Sequence, residues 1–296
     1  MNRFRKIKKF LMILIVHGIT LCTTHAQDAA PVDVSNFYRT LSLGLNNSKY
    51  RDFATSPLFY TGMGISVQTS WLKKSDKRER ALDMGIAYSS VSAMIPESDY
   101  LQPSTAGSFI QLNLRYLRLW ELKKFSNQRN NIKVGGNVLT TLNIRPNSAL
   151  FNNAFGIENI TNIMASGQIM RDISRKIPRQ LNLGLIKIKM NPRKQQFRFQ
   201  LNAGLLNFNY RPGYAYSYTD ELMGLETQAW VLADYKMSVN GWRFNTELEF
   251  IRYLPNGNAR SWSYVWDAAH VPGRFEPFQM ASHQIRYTYY FHTKKR

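Results

Sequence analysis

The chain has 296 residues, a formal net charge of +20 and a single cysteine, Cys22. One cysteine excludes an intrachain disulfide and a cysteine-rich metal site. The mean hydropathy is −0.36, and the sequence lacks the run of about 20 apolar residues that a membrane-spanning helix needs, which excludes a helical membrane protein.

The first 26 residues have the three parts of a secretory signal peptide. A basic start is followed by an apolar run from Phe10 to Cys22 and by a small-residue exit that ends at Ala26. Cleavage after Ala26 removes five basic residues and the cysteine, so that residues 27–296 form a single domain with a net charge of +15. A cut before Cys22 would give a lipoprotein, but Leu21 stands where such signals have a small residue.

The rest of the chain alternates apolar and polar residues with a period of two, which predicts β-strands. In the first clear example, Leu58 to Leu72, Met63, Ile65 and Val67 share one face and small or polar residues share the other. At about 3.3 Å per residue this segment spans roughly 50 Å, far more than a typical soluble strand. The ten predicted strands are 34–46, 58–72, 80–93, 107–122, 131–146, 178–190, 196–210, 226–239, 241–252 and 283–291.

The lengths of the connections favour an up-and-down barrel, in which short periplasmic turns alternate with long outer loops. The expected turns are 73–79, 123–130, 191–195 and the Asn240-Gly241 pair, which suits a type I′ hairpin. The expected outer loops are 47–56, 94–106, 147–177, 211–225 and 253–276. An alternative count of twelve adds 162–173 and 260–267 as strands. Within 196–210, a change of parity next to Gly204 predicts a β-bulge.

In its signal peptide, its alternating segments and its aromatic ending Tyr287, Tyr289, Tyr290 and Phe291, the chain resembles bacterial (Gram-negative) outer-membrane β-barrel proteins. The resemblance implies an all-β transmembrane antiparallel barrel in the outer membrane, contacts with membrane lipid and lipopolysaccharide, and assembly by the barrel-assembly machinery. An outer-membrane protein partner is a further possibility, whereas nucleic acid is not an expected partner of an exported chain. The competing interpretation is a secreted soluble β-sandwich, whose strands also alternate.

In a barrel, the face opposite to the lipid-facing residues must fill the lumen. The charged residues on that face are expected to form a polar network of salt bridges, because an isolated buried charge is costly. The expected members are Asp83, Arg115, Glu121, Lys133, Arg145, Arg198, Asp234, Lys236, Arg243, Glu247, Glu249 and Arg286. The alternative is a narrow anion-preferring path lined by the basic excess.

The outer loops carry a second candidate site, because aromatic side chains beside arginine are typical of glycan and protein interfaces. Two expected loops supply such residues. The expected recognition surface consists of Tyr214, Tyr216, Tyr218, Arg260, Trp262, Tyr264, Trp266 and Arg274.

Enzymatic signals are weak. Adjacent strand residues point to opposite faces, so Ser282 and His283 cannot pair, and His283 is expected to face lipid. Asp267 and His270 form an Asp-x-x-His pair in an expected loop, a weak candidate for proton or metal chemistry. The sequence has no glycine-rich phosphate loop or metal motif. We therefore expect no catalytic or metal-binding residues and no cofactor.

The sequence predicts a non-enzymatic barrel that serves as a structural or accessory component of an outer-membrane assembly and contacts a partner or surface glycan through its outer loops. Two alternatives are a narrow channel or transport element with a charged lumen, and a barrel enzyme that modifies lipid or lipopolysaccharide.

Overall fold

A computed structural model describes most of the chain after the predicted signal peptide. The described residues are 35–94, 104–153, 155–175, 177–183, 186–212, 235–272 and 277–293. The predicted signal peptide lies outside these ranges. In the described part of the chain, no helix is long and apolar enough to span a membrane.

The described residues form thirteen strands and two short 3-10 helices, Lys123–Phe125 and Ser148–Asn153. The strands are β1 (Asn36–Asp52), β2 (Ser56–Lys74), β3 (Arg78–Met94), β4 (Ser104–Glu121), β5 (Asn130–Pro146), β6 (Phe155–Asp172), β7 (Arg179–Leu183), β8 (Ile186–Met190), β9 (Gln195–Pro212), β10 (Tyr235–Ser238), β11 (Trp242–Tyr253), β12 (Ala259–Pro272) and β13 (Pro277–Thr293).

Eleven of these strands close into one antiparallel barrel. Consecutive strands from β1 to β6 pair in order, β6 pairs with β9, and the circuit continues through β11, β12 and β13 back to β1. The short strand β10 and the longer β11 both pair with β9 and together occupy one position. The barrel therefore has ten strand positions, and the predicted all-β, up-and-down, ten-strand barrel is confirmed.

The count of ten is right, but one predicted strand is not a barrel strand, and the described part of another is only a fragment of one. Segment 178–190 is mostly the hairpin of β7 and β8, which forms a separate two-stranded sheet between β6 and β9. Asn240-Gly241 is not a hairpin turn, because it interrupts the strand formed by β10 and β11, with Gly241 at a φ of 91°. Of the predicted strand 226–239, the described part is a fragment of that same strand.

Two barrel strands were instead predicted as loops. β6 lies in expected loop 147–177, and β12 lies in expected loop 253–276. In β6 the alternation is weak because Ile160, Met164 and Met170 point inward and are buried beside polar residues. The twelve-strand alternative recognised parts of both segments but was wrong in keeping 178–190 as a strand.

The predicted β-bulge at Gly204 is confirmed. Along the β6–β9 pair, Ile163 lies opposite Leu206 and Met164 lies opposite Gly204, so that Leu205 has no partner across the strands. The extra residue turns both Leu205 and Leu206 outward, with 66% and 42% of their surfaces exposed.

The two faces of the barrel wall have opposite chemistry. Outward residues in the middle of the strands are apolar and exposed, such as Leu43 (58%) and Ile65 (60%). Inward residues at the same height are polar and buried, such as Asn143 and Gln200, both at 0% exposure. A soluble sandwich buries its apolar face, so this inverted arrangement excludes that alternative and indicates a transmembrane barrel.

The barrel has two distinguishable ends. The terminal end carries the start of β1, the end of β13 and the connections 75–77, 122–129, 173–194 and 254–258. The distal end carries the connections 53–55 and 147–153, together with the strand ends that flank 95–103, 213–234 and 273–276. The strict alternation of short turns with long loops was wrong, because 53–55 is short and the hairpin of β7 and β8 lies at the terminal end.

Candidate functional site in the barrel lumen

At the distal end of the lumen, one carboxylate binds two arginines. Asp52, the last residue of β1, lies 2.5 Å from Nη2 of Arg145 and 2.8 Å from Nη2 of Arg211. Arg145 also donates to Glu158 Oε2 at 2.8 Å. All four side chains are buried, so each depends on the others for charge compensation.

An apolar plug lies beside this cluster. Tyr50 and Tyr60 stack with ring centroids 5.0 Å apart, and the guanidinium of Arg145 lies 4.9 Å from the ring centroid of Phe278. The plug consists of Tyr50, Tyr60, Val91, Ala93, Phe109, Ile160, Ala269, Val271, Phe278 and Met280. It occupies the lumen where β1–β4 and β12–β13 approach the distal end.

Glu247 on β11 is the centre of the middle cluster. Its Oε1 lies 3.1 Å from Nη2 of Arg198 and 3.1 Å from Nη2 of Arg286. Across the lumen, Arg115 Nε donates to Asp83 Oδ2 at 2.6 Å, and its Nη2 lies 3.9 Å from Glu247. The middle cluster therefore joins opposite walls of the barrel.

Arg243 is the largest of the fully buried side chains. It donates two hydrogen bonds to the carboxylate of Asp267, from Nε at 3.0 Å and from Nη2 at 2.6 Å. Its Nη1 donates to Thr141 at 2.9 Å and to Asn162 at 3.2 Å. This bidentate geometry fixes the guanidinium, whose remaining hydrogen bonds tie β11 to β5 and β6.

The terminal part of the lumen is held by Arg198. This side chain lies 2.7 Å from Glu249 Oε2 and 3.5 Å from Glu79 Oε1. Glu79 also pairs with Lys133 at 3.4 Å, and Tyr290 donates a hydrogen bond to Glu249. Beside them lies a second apolar cluster, made of Tyr38, Leu72, Ala81, Leu117, Leu119, Ile251, Ala259 and Tyr290.

The ion pairs of the described lumen are balanced in charge. Seven basic residues pair with seven acidic residues. The basic members are Arg115, Lys133, Arg145, Arg198, Arg211, Arg243 and Arg286, and the acidic members are Asp52, Glu79, Asp83, Glu158, Glu247, Glu249 and Asp267. The ion-paired part of the described lumen therefore carries no basic excess, and the anion preference of a path through it stays a prediction.

Two cavities lie between the apolar clusters. Measured as the space open to water centres, one has a volume of about 40 Å³ and the other about 70 Å³, and both are lined by Gln68, Asp83, Arg115 and Arg286. Each is large enough for a few water molecules, since one water needs roughly 10–15 Å³ of such space. The Nε atoms of Arg198 and Arg286 are buried without a hydrogen-bond partner among the described residues, which favours water there.

The structure brings most of the predicted lumen residues together. Asp83, Arg115, Lys133, Arg145, Arg198, Arg243, Glu247, Glu249 and Arg286 all lie in the ion-paired lumen. Glu121 is half-buried, and its nearest described partner is the Asn131 amide at 3.5 Å. Asp234 and the side chain of Lys236 lie outside the described part of the chain.

Five further members of the network were not predicted as lumen residues. Asp52, Glu79, Glu158 and Arg211 stand where loops or turns were expected, and the strands continue through them. Asp267 was expected in a loop and lies on β12. Extending the parity of the predicted strands by a few residues would have placed Asp52, Glu79 and Arg211 inside. Glu158 and Asp267 lie on β6 and β12, the two strands that were predicted as loops.

The predicted recognition surface is not a loop surface where the structure describes it. Arg260, Trp262, Tyr264 and Trp266 lie on β12 and share its outward parity, with Trp262 59% exposed. Trp262 packs against Tyr287 of β13, with centroids 5.1 Å apart. The prediction that these four form a loop was wrong, because their alternation belongs to a strand. The other four members, Tyr214, Tyr216, Tyr218 and Arg274, lie outside the described residues.

The residues weighed for enzymatic chemistry are not assembled. Asp267 points inward to Arg243, whereas His270 points outward, stacks on Trp242 and lies 3.3 Å from the Gln279 amide. His283 faces outward as predicted, and its Nδ1 lies 2.7 Å from the hydroxyl of Tyr264. No group of three or more potential metal ligands occurs among the described residues.

Comparison with known proteins gives no family assignment. No family model and no curated protein matches the chain. Among solved structures, an outer membrane channel from Pseudomonas putida F1 is 8% identical with a TM-score of 0.28, covering 90% of this chain and 100% of that one. The P. putida toluene transporter TodX is 8% identical with a TM-score of 0.26, covering 90% and 92%. The translocator domain of the Neisseria meningitidis autotransporter NalP is 9% identical with a TM-score of 0.23, covering 96% and 97%.

Likenesses at this level carry no argument about function. The class instead follows from the closed barrel itself, with its even number of strand positions, its apolar outer band and its polar interior. The chain is an outer-membrane β-barrel of ten strands, of the kind that Gram-negative bacteria build.

Proposed function

We propose that the protein is a narrow channel of the outer membrane that is closed in the conformation described above. The observation that carries the proposal is the pair of water-sized cavities in the middle of the lumen, which share four polar or charged lining residues. Polar and charged side chains around space for water at the centre of the lumen are what a narrow aqueous path would contain when its ends are closed.

The apolar plug is the proposed gate. Hydrophobic constrictions close pores by excluding water, and the plug contains four aromatic rings at 0–3% exposure, those of Tyr50, Tyr60, Phe109 and Phe278. Arg145 and Asp52 hold its distal side through a buried ion pair. We infer that opening requires this pair to rearrange, so that small polar solutes reach the central cavities.

The pairing of charges argues that the open path carries small solutes of either sign. The described network contains seven residues of each charge, so its net charge is zero and it attracts neither cations nor anions in preference. The proposal includes export by the predicted signal peptide, residues 1–26, and places the terminal end in the periplasm.

A second candidate function is a structural barrel with a permanently filled lumen. The ion pairs that join opposite walls favour it, since such pairs fix a barrel without any transport role. Contact with a partner or surface glycan, as a structural or accessory component, depends on the outer loops and stays a prediction. The enzyme alternative was based on the pair Asp267 and His270, and these two side chains point to opposite faces of the barrel wall.

Single-channel recording in planar lipid bilayers separates the two candidates. We would compare the wild type, the plug variant Phe109→Ala, and Tyr88→Ala, which removes an exposed outward ring. The channel proposal expects brief, small unitary steps from the wild type, longer openings from Phe109→Ala, and wild-type behaviour from Tyr88→Ala. Silent bilayers with all three folded proteins would contradict the channel and leave the filled structural barrel.

A further inference from the structure

Among the described residues, several exposed basic side chains lie on the outside of the barrel near the terminal end. On the outward face of β2, β3 and β4, Lys73 lies opposite Arg80, and Arg80 lies opposite Arg118. We call these three residues the basic row. All three are exposed, and none forms a salt bridge with another described residue.

The basic row is unfavourable on its own. Directly opposite residues on neighbouring strands have Cβ atoms about 4.5–5.5 Å apart, and like charges in such pairs are destabilising. The outward positions of β1–β4 contain no carboxylate in the described part of the chain, and they add Arg39 and Arg78 next to the row. Asp76, the nearest exposed acid along the chain, lies in the turn beyond the strands.

The position of the basic row along the barrel axis determines which kind of anion can reach it. Trp71 and Tyr116 lie two residues from Lys73 and Arg118 on the distal side, and Trp120 lies two residues from Arg118 on the terminal side. Aromatic residues of this kind mark the membrane–water interface. The row therefore lies at the depth of the lipid head groups. At this depth lipid surrounds the barrel, and a soluble partner would have to displace that lipid to reach the row.

The local contacts fit a lipid head group. The guanidinium of Arg118 lies 4.9 Å from the Trp120 ring centroid, and Lys73 Nζ lies 5.1 Å from that of Phe37. These contacts position both cations along the wall and leave their N–H groups for an oxygen anion. Arginine and lysine are the usual partners of phosphate.

We propose that the basic row binds the phosphate of an anionic glycerophospholipid, such as phosphatidylglycerol, in the leaflet at the terminal end. The bound phosphate offsets the repulsion along Lys73, Arg80 and Arg118, while the acyl chains lie on the apolar wall above the row. The proposal goes beyond channel activity, because it concerns the outer wall and holds whether or not the lumen conducts.

Native mass spectrometry of the refolded protein tests the proposal. The protein would be transferred from micelles that contain equal amounts of phosphatidylglycerol and phosphatidylcholine, or lipid A and phosphatidylcholine. The test variant is Lys73→Gln/Arg80→Gln/Arg118→Gln. The matched control is Lys123→Gln/Lys124→Gln/Arg129→Gln, which removes the same charge from the exposed 122–129 turn at the same end.

The wild type and the control should retain phosphatidylglycerol in preference to phosphatidylcholine. The row variant should lose that preference, by roughly fivefold for each basic residue removed. An equal loss in both variants would overturn the proposal, since it would mean unspecific attraction to a basic end. Retention of lipid A but not of phosphatidylglycerol would overturn the assignment to a glycerophospholipid.

A second measurement needs no variant and applies if the row variant does not fold. Wild-type protein in vesicles would be irradiated with a phosphatidylglycerol that carries a photoreactive head group. Cross-links are expected on peptides that contain Lys73, Arg80 or Arg118 and should be suppressed by unlabelled phosphatidylglycerol. Cross-links spread evenly around the terminal end would contradict the proposal.

Discussion

Arg243 and Asp267 form a bidentate ion pair inside the barrel wall, and the Arg243 side chain is only 2% exposed. Since the two residues lie on neighbouring strands, β11 and β12, the pair fixes how these strands meet. Asp267 therefore has a structural role in the lumen.

Asp267→Ala should destabilise the barrel by about 3–5 kcal/mol, because it leaves a buried guanidinium without a counter-charge. The free energy of unfolding would be measured by guanidinium titration of protein refolded in lipid vesicles. The double variant Arg243→Met/Asp267→Ala should recover much of the loss, because it also removes the stranded charge. A double variant that is less stable than Asp267→Ala would contradict this explanation.

Gly64 marks a close approach between β2 and β3. A Cβ at this position would lie 1.8 Å from the carbonyl oxygen of Tyr88. The two strands would have to move apart to accommodate it. We expect Gly64→Ala to cost at least about 1–3 kcal/mol in the free energy of unfolding. The matched control is Gly167→Ala on β6, where an added Cβ meets nothing within 4 Å and the change should stay within about 0.5 kcal/mol. Equal stability of the two variants would contradict the close approach.

The assignment of β12 as a membrane strand predicts opposite environments for consecutive residues. Trp262 is 59% exposed on the outward face, whereas Ser263 is 5% exposed and faces the lumen. In protein produced without residues 1–26, which include Cys22, Trp262→Cys is the sole thiol. A fluorophore on it should emit at short wavelength and be quenched by a lipid-soluble nitroxide.

Ser263→Cys is the paired control and should react slowly with the same fluorophore, since its side chain is packed inside the barrel. Rapid labelling of both positions by a water-soluble reagent would mean that 259–272 is a loop after all.

Gly241 interrupts the strand formed by β10 and β11 and has a φ of 91°. A Cβ there would also lie 2.2 Å from the carbonyl oxygen of His270. Gly241→Ala should therefore destabilise the barrel by at least about 1–3 kcal/mol. Gly257→Ala has a similar φ of 84° but meets only the flexible His292 ring, at 3.2 Å, and should cost less. Thermal unfolding in detergent compares the stability of the two variants directly. A larger loss of stability in Gly257→Ala than in Gly241→Ala would contradict this prediction.

The sequence predicts the wall of the barrel better than its connections. Where the two faces differ sharply, as from Leu41 to Leu45 of β1, alternation alone assigns each side chain to lipid or lumen. Alternation fails where the lumen itself is apolar, because Ile160 and Met164 of β6 point inward and remove the contrast between faces. It also fails at strand ends, since charged Asp52 and Glu79 resemble loop residues until their ion pairs in the lumen are known.

The Asn240-Gly241 pair illustrates a different limit. Its sequence is typical of a tight hairpin. In the barrel, however, β9 continues past this position and pairs with β10 on one side of it and β11 on the other, so the pair becomes a local interruption. The pairing of one long strand with both segments is a property of the whole sheet, and a two-residue turn motif does not reveal it.

The closure of the barrel between β6 and β9, across the inserted hairpin, is tested most directly by disulfide cross-linking. Ile169 on β6 lies opposite Phe199 on β9, close enough for a cross-strand disulfide. In protein lacking Cys22, mild oxidation of Ile169→Cys/Phe199→Cys should give a cross-linked monomer, and Lys187→Cys/Phe199→Cys should not. The reverse result, a cross-link from residue 187 and none from residue 169, would mean that 178–190 is a barrel strand and would contradict the ten-strand arrangement described above.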